Sequence, residues 1–360
     1  MKLKNIAIAF LGALLFATCS KKDDEKEYTA EESKAVVRST MDNFYNCLQN
    51  LNDGGFANFF HDLLFKETVR DHQGETQSWG NFLGEKFDKQ NFAEGLTEGD
   101  RFNYHRMKGT YTWNKNTELW EKTANNENVT FIFPATKGAT NNGKLVIDQY
   151  EDTETTYGND KVYLPTAAHL YATIDNTKVF EVTVKNVTFE KKTNFTMPLS
   201  AHISIYTNPF TTTIQWNRQN PENFVFDFAF SSPQGCTTGL HADIKLTTSD
   251  YGNISSLEKA IDKIAFTATQ GELRIVGNID VKSLEEKGND RKLRVEEINT
   301  YAKAVLMKGN SKIADVKYEE ENDKGVIYFI FSDGSREKAE KYVSDFEDRV
   351  TQIFKRFDRK

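Results

Sequence analysis

The chain has 360 residues, of which 46 are basic and 53 acidic, so its formal net charge is −7. A chain of this length can bury a sizeable core, as one large β-rich domain or as two smaller ones. The acidic excess weighs against nucleic acid and anionic lipid headgroups as partners of the body as a whole.

The N-terminal segment has the features of a cleavable signal peptide. Lys2 and Lys4 precede a stretch from Ile6 to Ala17 that is apolar and carries no charge. The stretch is shorter than the roughly 20 apolar residues that a helix needs to cross a bilayer. We therefore predict that residues 1–18 are removed, which leaves 44 basic against 53 acidic residues and a net charge of −9.

The residues before Cys19 resemble the lipobox of bacterial lipoproteins. The stretch runs from Leu15 to Cys19, with Phe16 where Leu is usual and Thr18 where Gly, Ala or Ser is usual. The resemblance implies cleavage before Cys19 and attachment to an outer membrane by lipid on that cysteine, and several acyl chains anchor a protein durably. The alternative is an ordinary secretion signal with a chance cysteine.

A polar run follows Cys19 and completes a predicted tether over residues 19–28. The segment Ser20–Glu25 consists of a serine, two lysines and three acidic residues. It resembles the surface-export signal of Bacteroidota lipoproteins, in which a lysine and a short acidic run follow the lipidated cysteine. The resemblance implies the cell surface, whereas the alternative is a solvated charge run that only spaces the body from the membrane.

Residues 29–100 predict a helical N-terminal segment. Thr29 and Glu32 match a capping box that starts a helix. A second helix is predicted from Phe56 to Val69 by a similar apolar face. The apolar positions of the first helix recur at steps of four and three, at Val37, Met41, Phe44, Leu48 and Leu51.

Residues 101–280 predict an antiparallel β domain. Runs rich in Thr, Val, Ile, Tyr and Phe alternate with Asn, Asp and Gly. Connections such as Asn114–Thr117 and Asp175–Thr177 have hairpin lengths, so neighbouring strands are expected to run antiparallel. The predicted strands are Arg101–Trp113, Glu118–Lys122, Val129–Pro134, Lys144–Tyr150, Lys161–Ile174, Val179–Phe189, Met197–Tyr206, Phe210–Trp216, Phe224–Phe230, Leu240–Leu246 and Glu272–Ile279.

Residues 281–360 predict a helix-hairpin-helix segment packed on the sheet. The pattern indicates a helix over Leu293–Val305, a hairpin of Lys312–Glu319 with Val326–Phe331, and a last helix over Arg336–Phe357. The whole chain therefore predicts an α+β fold, in which a long antiparallel sheet curves into a partial barrel or sandwich and is flanked by N-terminal and C-terminal helices.

Two cysteines remain besides the predicted lipidation site. Cys47 lies on the first predicted helix and Cys236 in a loop after a predicted strand. In an oxidising compartment the two can pair, or they can remain two small buried thiols, and the sequence leaves both open.

The sequence contains no recognised catalytic motif, and we predict no cofactor and no metal site. A Gly-rich phosphate loop, a nucleophile elbow, an HExxH motif, an EF-hand pattern and paired CxxC motifs are all missing from the sequence. His169, His202 and His241 each lie near the start of a predicted strand, and if those strands are adjacent the imidazoles could meet at one edge of the sheet and bind a divalent metal. Surface histidines on β-ladders are the favoured interpretation.

Alternation in two predicted strands indicates an apolar ligand-binding surface. If the sheet bends around that side and the helices leave it open, a pocket of several hundred cubic ångströms, large enough for an acyl chain, results. The alternative is that the first and last helices fill the concave side. The predicted lining residues are Phe180, Val182, Val184, Phe224, Phe226, Phe228 and Phe230.

The tryptophans allow two interpretations as well. On strands they can stack on sugars or line an apolar cavity, or they can fill the core of the sheet, which is the favoured interpretation. The four are Trp79, Trp113, Trp120 and Trp216.

Three function classes follow. The first is a non-catalytic, surface-exposed binding lipoprotein for an apolar ligand or a glycan, because strands and aromatic residues are present and catalytic motifs are not. The second is a structural or assembly partner of an outer-membrane complex, and the third is a hydrolase. The predicted partners are the membrane, through the lipid anchor, a lipid or glycan ligand, and an outer-membrane protein.

Overall fold

The structure is a computed structural model that describes residues 27–70, 74–94, 97–98, 101–157, 160–191, 196–250, 257–289 and 291–357. The predicted signal peptide, Cys19 and most of the predicted tether lie outside these residues. Two short 3-10 helices, Ala339–Tyr342 and Lys355–Phe357, flank the last helix of the described part. The α-helices are α1 (Ala30–Asp53), α2 (Gly55–Leu64), α3 (Trp79–Lys89), α4 (Tyr104–Met107), α5 (Leu257–Ala260), α6 (Val281–Gly288), α7 (Val295–Tyr301) and α8 (Phe346–Ile353).

The strands account for most of the described chain. They are β1 (Glu67–Arg70), β2 (Thr76–Ser78), β3 (Thr97–Glu98), β4 (Arg101–Phe102), β5 (Gly109–Asn114), β6 (Leu119–Thr123), β7 (Val129–Phe133), β8 (Gly143–Tyr157), β9 (Asp160–Ile174), β10 (Thr177–Lys191), β11 (Thr196–Thr207), β12 (Phe210–Asn220), β13 (Asn223–Ser231), β14 (Thr237–Leu246), β15 (Ile261–Gln270), β16 (Leu273–Asp280), β17 (Ala302–Lys308), β18 (Ser311–Glu321), β19 (Lys324–Ile330) and β20 (Arg336–Lys338).

Sixteen strands of the described chain hydrogen bond in one open sheet, and the remaining four form two short ribbons. The order in the sheet is β20-β19-β18-β17-β16-β15-β14-β13-β12-β11-β10-β9-β8-β7-β5-β6. The predicted α+β class with a long sheet and terminal helices is therefore confirmed. The sheet is mixed rather than wholly antiparallel, because β5 and β7 pair in parallel with β6 on the far side of β5.

The chain divides into two compact units. Unit 1 comprises the described residues up to Leu48 together with Thr213–Gln352, and unit 2 comprises Gln49–Thr212 with the residues from Ile353 onward. The strand β12 begins in unit 2 and ends in unit 1.

In unit 1, α1 starts at the predicted capping box. The Glu32 amide donates to Thr29 Oγ1 at 3.3 Å, and the Thr29 amide donates to Glu32 Oε2 at 2.9 Å. The Lys34 ammonium lies 5.4 Å from the centre of the Phe331 ring, directly after β19. At the other end of α1, a disulfide joins Cys47 to Cys236, directly before β14.

Helix α1 therefore runs across the strands of unit 1 along one end of the sheet. From Lys34 to Cys47 the helix rises by about 20 Å. The five strand spacings from β19 to β14 amount to about 24 Å, which is close to the rise of the helix. Between the two ends, a Cβ built on Gly271 in the β15–β16 turn would lie 3.7 Å from Thr40 Cγ2. Helix α1 thus contacts three connections of unit 1, after β19, between β15 and β16, and before β14.

Two predicted elements of unit 1 differ from the structure. The predicted helix over Leu293–Val305 is helical only over Val295–Tyr301, and Ala302–Lys308 forms β17. In β17 every second residue from Ala302 to Leu306 is buried between β16 and β18, so period-2 packing overrides the helical spacing. The central strand β15 was not predicted, because its charged start and small residues hide the alternation.

The predicted helix over Arg336–Phe357 is also wrong. The edge strand β20, a 3-10 helix, α8 and a second 3-10 helix replace it. Arg336 is held in the strand by pairing with Ile330 and by an ion pair to Glu319 at 2.9 Å. The Tyr342 ring then packs 5.9 Å from the Phe329 ring, which fixes the 3-10 turn against β19.

In unit 2, an aromatic core lies between α3 and the strands β5–β8. Trp79, Trp113 and Trp120 are buried there, with ring centres 5.6 to 5.8 Å apart. The Trp79 indole donates to the Pro134 carbonyl at 2.8 Å, and the Trp120 indole donates to the Leu83 carbonyl at 2.9 Å. These three tryptophans are core residues, as the favoured interpretation held.

The N-terminal part of unit 2 contains three departures from prediction. The second predicted helix ends at Leu64 rather than at Val69, because Glu67–Arg70 pairs with β2. Helix α3 was not predicted; Ser78 caps it by accepting from the Asn81 amide. The predicted strand from Arg101 to Trp113 is interrupted by α4, which begins where Asn103 Oδ1 accepts from the Arg106 amide at 3.1 Å.

Candidate ligand-binding site

Strands β8 and β9 of unit 2 form a ribbon that extends beyond the ladders on either side of it. They pair with each other from Gly143 opposite Ile174 to Tyr157 opposite Asp160. The ladder of β8 with β7 ends at Ile147, and the ladder of β9 with β10 ends at Ala168. Pro165 lies in the extended part, opposite Asp152, and prolines within sheets are found at such edge positions and at bulges.

The segment of β4 and α4 crosses this ribbon and packs on it. The Phe102 ring meets the Tyr150 ring edge to face, with centres 5.0 Å apart. The Tyr104 hydroxyl donates to the Ile147 carbonyl at 3.3 Å and lies 3.4 Å from the Glu127 carbonyl. The crossing segment is thereby attached to the base of the ribbon through both rings and backbone.

An ion pair between Arg101 and Asp152 completes the attachment. Arg101 Nε lies 3.0 and 3.2 Å from the two carboxylate oxygens, and Nη2 lies 2.8 Å from Oδ1. The Asp152 side chain is only 2% exposed, and the guanidinium also lies over the Tyr163 ring. A buried carboxylate without its countercharge is costly, so this pair fixes one wall of the site.

A cavity of about 340 Å³ lies between the crossing segment and the ribbon and falls within the ordinary size range of small-ligand pockets. Phe102 and Tyr150 contribute aromatic rings, whereas Asn103, Glu151 and Thr166 contribute an amide, a carboxylate and a hydroxyl. The full lining is Arg101, Phe102, Asn103, Tyr104, His105, Tyr150, Glu151, Asp152 and Thr166.

The electrostatics of the cavity keep the Tyr150 phenol neutral. Burial raises the pKa of Tyr150, the charge of Asp152 raises it further, and the charge of Arg101 opposes this. A neutral phenol both donates and accepts hydrogen bonds. The arrangement can therefore bind a polar ligand through directional hydrogen bonds while a ring face packs against its C–H groups.

None of the seven predicted apolar lining residues borders this cavity, and two of them pack against other aromatic rings. On β10, Phe180 is covered by Phe56 of α2, with ring centres 5.1 Å apart. In unit 1, Phe224 is 1% exposed and stacks on Trp216 at 4.8 Å. Phe180 is still half-buried, as are the other five predicted lining residues, Val182, Val184, Phe226, Phe228 and Phe230.

Two of the three predicted strand histidines, His169 and His241, contact carboxylates. In unit 2, His169 lies between Asp148, at 2.6 Å from Nδ1, and Glu181, at 3.2 Å from Nε2. In unit 1, His241 contacts Asp227 directly across the β13–β14 ladder. Among the residues that the structure describes, no group of three or more His, Cys, Asp or Glu side chains is placed to hold a metal ion.

Sequence reasoning missed this cavity because it treated residues 101–113 as one strand. The signal that could have found it is Asn103, a capping residue that starts a helical turn inside the aromatic run. The residues that the crossing segment contacts, Tyr150 and Asp152, lie about fifty positions later in the sequence. No local sequence pattern around them indicates this contact.

None of the helices in the described part of the chain combines the length and the apolar character that crossing a membrane requires. No protein-family model, no curated protein and no solved structure matches the chain.

Proposed function

We propose that the protein is a lipid-anchored, non-catalytic binding lipoprotein of the outer membrane, exposed at the cell surface, that holds a saccharide in the cavity between β4, α4 and the β8–β9 ribbon. The lipobox resemblance at Cys19 and the export-like run Ser20–Glu25 support the location. Durable attachment then comes from the acyl chains on Cys19, while the folded body remains in water.

The observation that carries the saccharide proposal is the pairing of Tyr150 with polar neighbours in one cavity. A sugar ring presents hydroxyl groups at its edge and C–H groups on its faces. Glu151 and Asn103 can bond hydroxyls while the Tyr150 ring packs on a C–H face. Between the two ligand classes expected from the sequence, this polar lining favours a glycan.

The test uses the full-length protein purified in detergent and a panel of neutral mono- and disaccharides, with binding followed by saturation-transfer NMR. We expect at least one saccharide to bind saturably. Tyr150→Ala should weaken it about fivefold or more, because a ring contact contributes about 1 kcal/mol beyond burial.

The matched control is Tyr171→Ala, which removes a half-buried tyrosine from β9 outside the cavity lining. It should leave the affinity unchanged. Saturable binding that survives Tyr150→Ala, or a panel without any saturable member, would contradict the saccharide proposal.

A structural or assembly role is the second candidate. The observation that favours it is the β8–β9 ribbon, whose strands continue past Ile147 and Ala168 into a two-stranded extension. Two-stranded ribbons gain stability from a further packing surface. Crosslinking of the membrane fraction through a cysteine placed at Thr153, on the ribbon, should then capture an outer-membrane protein reproducibly.

A further inference from the structure

Unit 1 contains a second cavity, of about 370 Å³, between the ends of β12 to β15. It is independent of the proposed saccharide site, which lies in unit 2. We call it the amide–lysine cavity, after its polar lining residues Gln219, Asn220, Asn223, Lys245 and Lys263; Phe224, Val225, Asp243, Ile244 and Ala265 complete the lining.

Two lysines lie side by side in this cavity. Lys245 on β14 is directly opposite Lys263 on β15, and Asn223 on β13 is directly opposite Lys245. Like charges in directly opposite positions of an antiparallel pair destabilise a sheet. An anion bound between the two ammonium groups would relieve this repulsion.

Each lysine has an aspartate beside it. Lys245 Nζ lies 2.9 Å from Asp262 Oδ2, and Lys263 Nζ lies 3.6 Å from Asp280 Oδ2. Asp280 has a second role, because its Oδ1 accepts from the Ser283 amide at the start of α6. An ammonium has three N–H donors, so one carboxylate neighbour leaves each lysine able to donate to a ligand.

The amide at the rim of the cavity is also oriented as a donor. Asn220 Oδ1 accepts from the amides of Glu222 and Asn223, both at 3.1 Å, and from Asn223 Nδ2 at 2.7 Å. Since the turn uses the carbonyl oxygen of Asn220, its NH₂ group is the part that can serve a ligand. The lining of the cavity thus includes two lysines and an amide that can donate hydrogen bonds.

A third carboxylate, besides Asp262 and Asp280, lies near these donors. Asp243 is exposed, lines the cavity, and has its Oδ2 3.4 Å from His241 Nε2. Its charge lowers the affinity of the place between the lysines for an anion. Removal of this carboxylate is therefore expected to increase the affinity for an anion.

We propose that the amide–lysine cavity binds an oxyanion group, a carboxylate or a phosphate, of a small ligand between Lys245 and Lys263, with Asn220 as a further donor. Because the whole chain has a net charge of −7, anion binding at this cavity would depend on these residues and not on the charge of the whole surface. Charge-assisted hydrogen bonds to an oxyanion are about twice as strong as neutral ones, so the lysines dominate recognition.

The experiment uses the full-length protein in detergent and two probes, inorganic phosphate and galacturonate, with galactose as the uncharged counterpart of galacturonate. Titration calorimetry should give saturable binding of at least one charged probe that weakens as NaCl is raised. Lys245→Met and Lys263→Met should each weaken it about tenfold or more. Lys282→Met, an exposed lysine of α6 outside the cavity, should leave it unchanged.

The direction of the affinity change in a second variant distinguishes this site from a general effect of surface charge. Asp243→Asn should strengthen binding of the same probe several-fold, whereas Asp348→Asn on α8, outside the cavity, should not. Asp243 is exposed, so this variant keeps the proposal testable if a lysine variant folds poorly. Tyr150→Ala should not affect either charged probe, which separates this result from that of the saccharide site.

The outcomes are distinct. Binding of phosphate alone assigns a phosphate ligand, binding of galacturonate alone assigns a carboxylate, and both support the proposal. Saturable binding that neither lysine variant weakens, or no saturation by either charged probe at millimolar concentration, overturns it.

Discussion

Cys47, six residues before the end of α1, is bonded to Cys236 in the turn before β14, and the bond joins positions 189 residues apart in the chain. The opposite end of the same helix lies at Phe331, beyond β19. The disulfide therefore attaches the C-terminal part of α1 to the turn before β14, at the opposite end of the helix from Phe331.

Loss of this disulfide should destabilise unit 1. In the chain-entropy model a closed loop of this length contributes about 5 kcal/mol. Cys47→Ser with Cys236→Ser should therefore lower the free energy of unfolding in urea by a value near that, and the wild type measured with reductant should match the double variant. Two thiols that titrate in oxidised, denatured wild-type protein would show that the bond is not formed.

The membrane attachment should depend on Cys19. With Cys19→Ala, no acyl chain can be added, so the protein should leave the membrane pellet or remain uncleaved. Fractionation after a high-salt wash measures this, with a Ser20→Ala variant as the control that keeps the cysteine. A Cys19→Ala protein that still pellets would place the anchor elsewhere.

The polar run after Cys19 should decide the side of the membrane. In intact cells, added protease should digest the wild-type body. Replacing Lys21 to Glu25 with alanine should protect it, because the export signal is removed while the folded body is unchanged. Equal protection of both proteins would mean that the run is only a tether.

His241 should make a small, pH-dependent contribution to stability. The hydrogen bond to Asp227 raises the pKa of His241 above 6.5, burial opposes this, and the charges of Asp227 and Asp243 add to it. Because the folded-state pKa is raised, the stabilisation is complete below pH 6.5 and is lost as the pH rises through the folded-state pKa.

The expected size is a few tenths of a kcal/mol, since the pair is half exposed and screened. His241→Gln should therefore unfold more easily than the wild type at pH 5.5 and equally at pH 9, as measured by urea denaturation. Asp227→Asn should remove most of the difference. A difference that grows with pH would have the wrong sign.

Two glycines should respond to alanine in opposite directions. A Cβ at Gly277 on β16 would lie 2.6 Å from the Lys303 carbonyl oxygen and 2.9 Å from Ala304 Cβ, so Gly277→Ala should cost about 1–3 kcal/mol. Gly84 on α3 has open space there, so Gly84→Ala should stabilise by about 0.4–1 kcal/mol. Thermal unfolding measures both, and destabilisation by Gly84→Ala would refute the second.

The elements that matched prediction are those specified by neighbours in sequence. The capping box of Thr29 and Glu32 starts α1 by hydrogen bonds three residues apart. The hairpin between β18 and β19 turns at Asn322 and Asp323, both with positive φ, which asparagine and aspartate tolerate. In each case the deciding contacts fall within one turn of chain.

The candidate cavity depended on contacts that no local pattern contains. Arg101 and Asp152 are 51 positions apart, and the first lies in a run that resembles a strand. Only the crossing of α4 over the β8–β9 ribbon brings the two together and creates the cavity. The sequence shows which side chains are present, but no local pattern in it predicts that these residues lie together.

The sequence by itself determined the local periodicities, the turn chemistry and the long β-rich middle of the chain. Tertiary structure decided that Ala302–Lys308 is a strand, that Arg336–Phe357 is broken, and that Cys47 meets Cys236. The physical reason is that short apolar runs satisfy helical and strand spacings about equally well, so the partner strand or helix that buries them makes the choice.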